Sequence, residues 1–268
     1  MKRYFITLSY DGAAYHGWQV QPGAVTVQQC IEEALGKVLR LPTPIVGAGR
    51  TDAGVNARVM VVHADMPEAI VEKDKAKFLR SLNSLTPRDI AIHDVVEVAP
   101  DAHARFDACR RTYRYFVHHG CDPFLRHYSL NLAPLDYSAM NEAAALLLDV
   151  ADFTSFAKLH ADTRTNICHV DTARWVKADA PQPAAAGMLC SDGAIASGMG
   201  VPGCQYYFEI SADRFLRNMV RAVVGTLVEV GRGKMSLDQF RNVIDRRDRC
   251  EAGTSMPGNA LFLWNVEY

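Results

Sequence analysis

The feature that most constrains this chain is an order of hydrophobic periods that occurs once before residue 105 and again after it. Residues 4–10, "YFITLSY", are rich in β-formers and stop at the turn signal Asp11-Gly12, which predicts a strand. From Thr26, "TVQQCIEEALGKVLR" puts Val27, Ile31, Leu35 and Val38 on one helical stripe, with Thr26 and Gln29 spaced as a capping box. A short strand before a Gly-rich loop, a strand over 57–65, a helix over 75–85 and a strand over 90–98 complete the order β-α-β-β-α-β. Beyond residue 105 the pattern returns, with a strand over 112–118, a helix over 137–149, strands over 168–177 and 204–211, and a helix over 215–230. An extra helix near 236–247 and a last strand, "ALFLWNVEY", follow.

This order is that of the ferredoxin-like split motif, which lays two helices on one face of an antiparallel sheet and leaves the other free, a common platform for RNA. The expected fold class is therefore α+β, with two ferredoxin-like (RRM-like) halves: an N-terminal domain over 1–105 and a C-terminal domain over 106–268. The Pro-, Gly-, Ala- and Ser-rich stretch 178–203 reads as a long hairpin loop or an insertion in the second. A chain of 268 residues that is 49% hydrophobic can bury a full core. Its net charge of −1 means that no surface-wide field attracts polyanions, so a nucleic-acid site has to come from local clusters of Arg and Lys. The seven Cys are scattered, without a CxxC pair, and read as the reduced thiols of a cytoplasmic protein. The apolar stretch at the start is too short for a signal peptide or a span, so no membrane partner is expected.

Three clusters are candidates for chemistry. In "GAGRTDAGVNA" (47–57), Asp52 stands among Gly47, Gly49 and Gly54, a setting that suits close approach to a ligand. The loop leads into a strand, not a helix, and lacks the Gly-Lys-Ser/Thr of a phosphate loop. Two readings stay open on the loop alone: Asp52 caps local N–H groups of a turn, or it is an exposed nucleophile or base kept ionised by Arg50. In "HARFDACRRTYRYFV" (103–117), Arg105, Arg110, Arg111 and Arg114 alternate with Phe106, Tyr113, Tyr115 and Phe116. Rings that stack on bases beside guanidiniums that take phosphate suit single-stranded or flipped nucleotides, and Tyr113 and Tyr115 share a strand face. The plainer reading has one Tyr in the core and the Arg residues on a solvated edge.

The third cluster is "FLRNMVRAVVGTLVEVG", whose stripe Phe215, Met219, Val223 and Leu227 predicts a core helix with Arg214 solvated. Arg221 lies deep in an apolar run and therefore needs a carboxylate partner. Arg111 and Arg217 are expected to contact the substrate. No HExxH and no GxSxG occurs, so no metal site and no Ser-His-Asp hydrolase is argued.

Taken together, "YDGAAYHGWQVQ" with "TVQ", "GRTDAGV", "HARFDACRRTYRY", "DFTSF", "MVRAVVGTLVEVG" and "LFLWNVEY" follow one another as in the tRNA pseudouridine(38-40) synthases, the A-type pseudouridine synthase family, which the chain resembles over nearly its whole length. The resemblance implies two ferredoxin-like halves whose sheets join around a central basic cleft. It also implies a cytoplasmic homodimer that grips tRNA and isomerises uridines of the anticodon arm to pseudouridine without cofactor or metal. By the same resemblance Asp52 matches the catalytic aspartate and Arg50 an arginine associated with the flipped nucleotide. Tyr113 matches the tyrosine that packs on the target base, and Arg221 the arginine that pairs with the carboxylate.

The chain departs from the family pattern at Asn56, where His is usual, at Ala151, where His or Asn is usual, and at Met256 and Ala260, which replace Ala and Gly. The carboxylate has three routes open: addition to the base at C6, attack on C1′ of the sugar, or removal of the 2′ proton. Two rivals stand beside this reading. One is a non-catalytic RRM-like binding module, which has no use for Asp52, and the other is a pseudouridine synthase acting on ribosomal RNA.

Overall fold

The computed structural model describes residues 1–71, 73–158, 165–178 and 205–268. The stretch expected to be a loop or insertion at 178–203 lies outside them from residue 179 on, as does residue 204, the expected start of a strand. Strand β1 (Lys2–Tyr10) turns its alternate residues Tyr4, Ile6, Leu8 and Tyr10 into the core. Helix α1 (Val27–Leu39) buries Val27, Ile31, Ala34, Leu35 and Leu39. Its capping box is half made: the Thr26 hydroxyl accepts from the Gln29 N–H, but the Gln29 side chain donates to Glu33. The two-residue β2 (Val46–Gly47) pairs with β3 (Asn56–Met66), so the Asp52 loop joins two strands.

A short α2 (Glu68–Val71), α3 (Lys75–Leu85) and β4 (Ile90–Glu97) complete the first part. α3 matches the predicted span and is capped by Asp74.

The second part runs through β5 (Arg110–His118), the two-residue β6 (Leu130–Asn131), α4 (Tyr137–Ala145), β7 (Val170–Lys177) and β8 (Tyr206–Ala212). It ends with α5 (Met219–Gly231), α6 (Leu237–Arg246) and β9 (Leu261–Glu267). Two helices differ from their expected spans. α4 tightens into a 3₁₀ turn over Leu146–Asp149. α5 starts at Met219, not at 215, because Asn218 is left-handed (φ 66°) and interrupts the backbone path. Ser236 and Gln239 form a complete capping box on α6.

Among the described residues the strands join in one nine-stranded sheet whose main order is β4-β1-β3-β9-β5-β8-β7. Where antiparallel sheets are expected to join, the sheet is mixed: at the seam β3 and β9 pair in parallel through Asn56 with Phe262 and Ala57 with Leu263, and β5 and β6 also pair in parallel. Leu263 pairs in turn with Tyr113 of β5. The hydrogen-bonded ladder thus runs from the end of the Asp52 loop directly to the Tyr113 strand.

β5 turns alternate residues to its two faces. Arg111, Tyr113 and Tyr115 are buried, with Tyr113 edge-on to Phe215 just ahead of α5. The other face of β5 carries Arg114, sandwiched between the rings of Tyr207 and Trp264 at 4.6 and 4.4 Å. Among the described residues no helix is long and apolar enough to cross a membrane.

Candidate active site

The loop that carries Asp52 is rigid because its neighbours are anchored. The buried Thr51 hydroxyl hydrogen-bonds the Tyr10 hydroxyl at 2.8 Å, and the Thr51 carbonyl accepts from the Trp18 N–H. Val55 N–H closes a turn on the Asp52 carbonyl, and Gly54 N–H reaches the Tyr15 carbonyl. The "YDGAAYHGW" segment is therefore a buttress for the loop. Gly17 sits in the left-handed region (φ 93°), and a Cβ there would lie 2.6 Å from the Thr51 carbonyl oxygen. Gly17→Ala is expected to lower stability by about 2–3 kcal/mol through strain and collision with backbone, read as a fall in the urea midpoint. An unchanged midpoint would show that the loop does not depend on this contact.

Asp52 is held out between two arginines of the α5 region. Arg217 Nε lies 3.5 Å from Oδ1 and an Arg221 terminal nitrogen 3.5 Å from Oδ2, with the carboxylate side chain 23% exposed. Both contacts are long for hydrogen bonds, so the oxygens keep room for another partner. Arg221 is fixed from behind: its Nε donates to the Met256 carbonyl, while its own carbonyl accepts from Met256 N–H. The carboxylate partner that an arginine in an apolar run required is Asp52.

Tyr113 stands close to the carboxylate. Its ring is 8% exposed and meets Phe215 edge-on, with centroids 4.9 Å apart. Burial first, and the Asp52 charge second, push its phenol well above the ordinary tyrosine value, so it stays protonated at any working pH. An anchored carboxylate, two guanidiniums and a buried aromatic ring thus meet where the two parts of the sheet join.

Residues 143–268 match the family model described as tRNA pseudouridine synthase. The chain is 51% identical over 269 residues to the tRNA pseudouridine synthase A of Parabacteroides distasonis, covering 100% of this chain and 96% of that protein. It is 50% identical to the protein of that name from Bacteroides thetaiotaomicron, covering 100% of this chain and 91% of the other. It is 36% identical to that of Bacillus subtilis, covering 98% and 97%. The chain belongs to the tRNA pseudouridine synthase family.

In this family member the other expected site residues are placed differently from one another. Arg50 is exposed and, among the described residues, makes no hydrogen bond or ion pair. Arg217, 62% exposed, reaches Asp52 and faces solvent. Arg111 is buried, and its guanidinium donates to the carbonyls of Ala108, Asp213, Ala48 and Arg105. Those four acceptors occupy the fork, so Arg111 is placed as a brace tying the Gly-rich loop to the 105–108 turn and to β8's end. Burial draws it below the usual guanidinium value, but it stays charged. Arg110 and Arg114 are likewise engaged, with Asp171 and Glu209.

Asn56 also has a task that was not legible from the loop alone. Its side chain accepts from Gly12 N–H at 2.8 Å and donates to the Asn259 carbonyl at 2.7 Å, joining three segments around the loop. The other departures from the family pattern are engaged through main-chain atoms: Met256 with Arg221, Ala260 with Phe116 N–H, and Ala151 with Cys168 N–H. A change of side chain leaves those bonds in place. Tyr10, Trp18 and Phe215 were missed as parts of the site; only the aromatic spacing beside glycine hinted at the first two. Among the described residues no three His, Cys, Asp or Glu side chains gather as metal ligands would.

Proposed function

We propose that this protein isomerises uridine to pseudouridine in the anticodon stem-loop of tRNA, at positions 38–40, with Asp52 as the reacting carboxylate. The observation that carries the reading is the carboxylate held 3.5 Å from both Arg217 and Arg221 beside the Tyr113 ring, in a chain of this family. The reaction breaks the C1′–N1 glycosidic bond, forms a C1′–C5 bond, moves the C5 proton off the ring and leaves N1 protonated. Arg221 orients the carboxylate, so that it is ready either to add to the substrate or to remove a proton. The target uridine leaves its stack and lies against Tyr113, with Arg50 and Arg217 toward the RNA backbone; unstacking costs a few kcal/mol, offset by these contacts. Arg111 acts through the loops it ties together.

The architecture fits two ferredoxin-like halves, 1–105 and 106–268, sharing a basic cleft. The orders β4-β1-β3-β2 and β9-β5-β8-β7 repeat the same path, with β2 and β7 in equivalent places. The cytoplasmic setting and a homodimer gripping tRNA belong to this reading, and sedimentation of the protein with and without tRNA tests the dimer.

The test of function is the appearance of pseudouridine in an anticodon stem-loop transcript incubated with the purified protein. Absence of product on tRNA, or product on ribosomal RNA alone, would refute the assignment. Tyr113→Phe is expected to keep RNA affinity and slow the single-turnover rate. Tyr113→Ala should lose about 1–3 kcal/mol more as the stacking surface goes. An unchanged single-turnover rate in Tyr113→Ala would remove the ring from the site.

A further inference from the structure

The segment His103–Phe106 presents an aromatic surface that the active-site geometry leaves unused. Phe106 is 75% exposed, and its ring stacks on His103 with centroids 4.3 Å apart and planes 30° apart. The platform is fixed from beneath. His103 Nδ1 accepts from the N–H groups of Arg105 and Phe106, and its ring meets His63 edge-on at 4.5 Å. His63 Nδ1 accepts from Ala104 N–H, and the Tyr268 hydroxyl donates to the Ala104 carbonyl. An exposed ring is ordinary on a flexible loop, but here the backbone behind it is held on both sides.

Three arginine-bearing segments converge beside it. The Arg111 brace gathers the main-chain carbonyls of Ala48, Arg105 and Asp213 at one side chain, so the stretches of chain that carry Arg50, Arg105 and Arg214 come together there. The Arg105 guanidinium lies 5.8 Å from the centroid of the Phe106 ring. Burial, then the charges of Arg50 and Arg214, draw Arg105 below its usual value, as expected for like charges held together. Among the described residues none of the three has a carboxylate partner, although Arg110 pairs with Asp171 and Arg114 with Glu209. The nearby Asp107 carboxylate is engaged by His103 N–H. A cluster of like charges without a counter-ion, beside a backed aromatic ring, has the chemistry of a nucleotide site.

We infer that Phe106, Arg105, Arg214 and Arg50 form a second nucleotide subsite beside Asp52, where a base next to the target stacks on Phe106 and its phosphate lies among the three guanidiniums. The inference rests on the proposed RNA substrate and adds the point at which the neighbouring nucleotide is gripped. It also makes Arg214 an RNA contact, where the sequence pattern reads it as solvated. Stacking is tolerant of base identity, so this subsite contributes grip with little sequence preference.

The experiment measures binding of an anticodon stem-loop RNA by the full chain across a salt series, with sedimentation of each RNA-free variant as control. Phe106→Ala should weaken binding about tenfold with the salt slope unchanged, and Phe106→Trp should restore it. The double variant Arg105→Gln, Arg214→Gln should reduce the slope of log affinity against log salt by about 0.7, one phosphate contact to a single strand. Affinity within twofold for Phe106→Ala, or an unchanged slope for the double variant, would overturn the subsite. A change in sedimentation of RNA-free Phe106→Ala with RNA affinity intact would assign the patch to contact between copies, and would also overturn it. If the wild type makes no pseudouridine yet these affinity shifts appear, the subsite stands and the proposed reaction falls. If it makes pseudouridine and the shifts are absent, the subsite alone falls.

Discussion

Replacing Asp52 by Asn is expected to abolish pseudouridine formation while leaving tRNA binding intact or slightly tighter. Asn keeps the shape of the side chain, so the turn closed by Val55 N–H on the residue-52 carbonyl persists. An amide neither adds to the substrate as a carboxylate does nor removes its proton, and the single-turnover rate should fall by about a thousandfold or more. Affinity is expected to come from Arg and Lys contacts to phosphate, and one negative charge leaves a site that holds Arg217 and Arg221. The measurement pairs a quenched-flow assay for pseudouridine with equilibrium binding, after a thermal melt has shown the variant to be folded. Appreciable product from folded Asp52→Asn would return the loop to its reading as a turn. Loss of binding together with activity would make Asp52 a structural residue.

Arg111→Met should produce the largest loss of stability of any single change near the site. The side chain is 9% exposed and satisfies the carbonyls of Ala48, Arg105, Ala108 and Asp213. Met fills much of the space but donates nothing, leaving two buried and two partly buried acceptors without this donor, at a cost of about 3–5 kcal/mol. For a chain of this size that corresponds to a fall in Tm of about 10 °C. Arg111→Lys should recover little, because one ammonium cannot span acceptors that a planar fork reaches. Activity should fall through kcat, since the Asp52 loop and the Arg105 turn share this anchor. A Tm within about 2 °C of wild type, with a reduced salt slope for RNA binding, would instead free the guanidinium for the substrate, the role the basic cluster suggests.

The contrast between Arg111 and Arg221 shows where sequence reading reached its limit. Both arginines are predicted to act at the site, one from its place in an alternating basic strand and the other from the cost of a lone charge in an apolar helix. The second argument states a requirement, a carboxylate, and the fold supplies Asp52, 169 residues away in sequence. The first states only that guanidiniums near rings suit RNA, and it treats Arg105, Arg110, Arg111 and Arg114 alike. They are not alike in the folded chain: Arg110 and Arg114 meet carboxylates, Arg111 meets four carbonyls, and Arg105 alone of them is left beside other cations.

What the sequence by itself determined is local. Periodicity set β1, β3, α3 and β5 close to their observed spans, and Thr26 marked a helix start, because a face pattern and a cap are decided within a few residues. Its motifs, taken together, also point to the family. The tertiary structure decided the face on which Tyr113 lies, the parallel seam of β3 and β9, the bridging of Gly12 and Asn259 by Asn56, and the fate of each arginine. These depend on which backbone and which charge the fold brings within about 3–4 Å of a side chain. Composition and spacing give the same guanidinium many possible partners, and only the folded chain selects one.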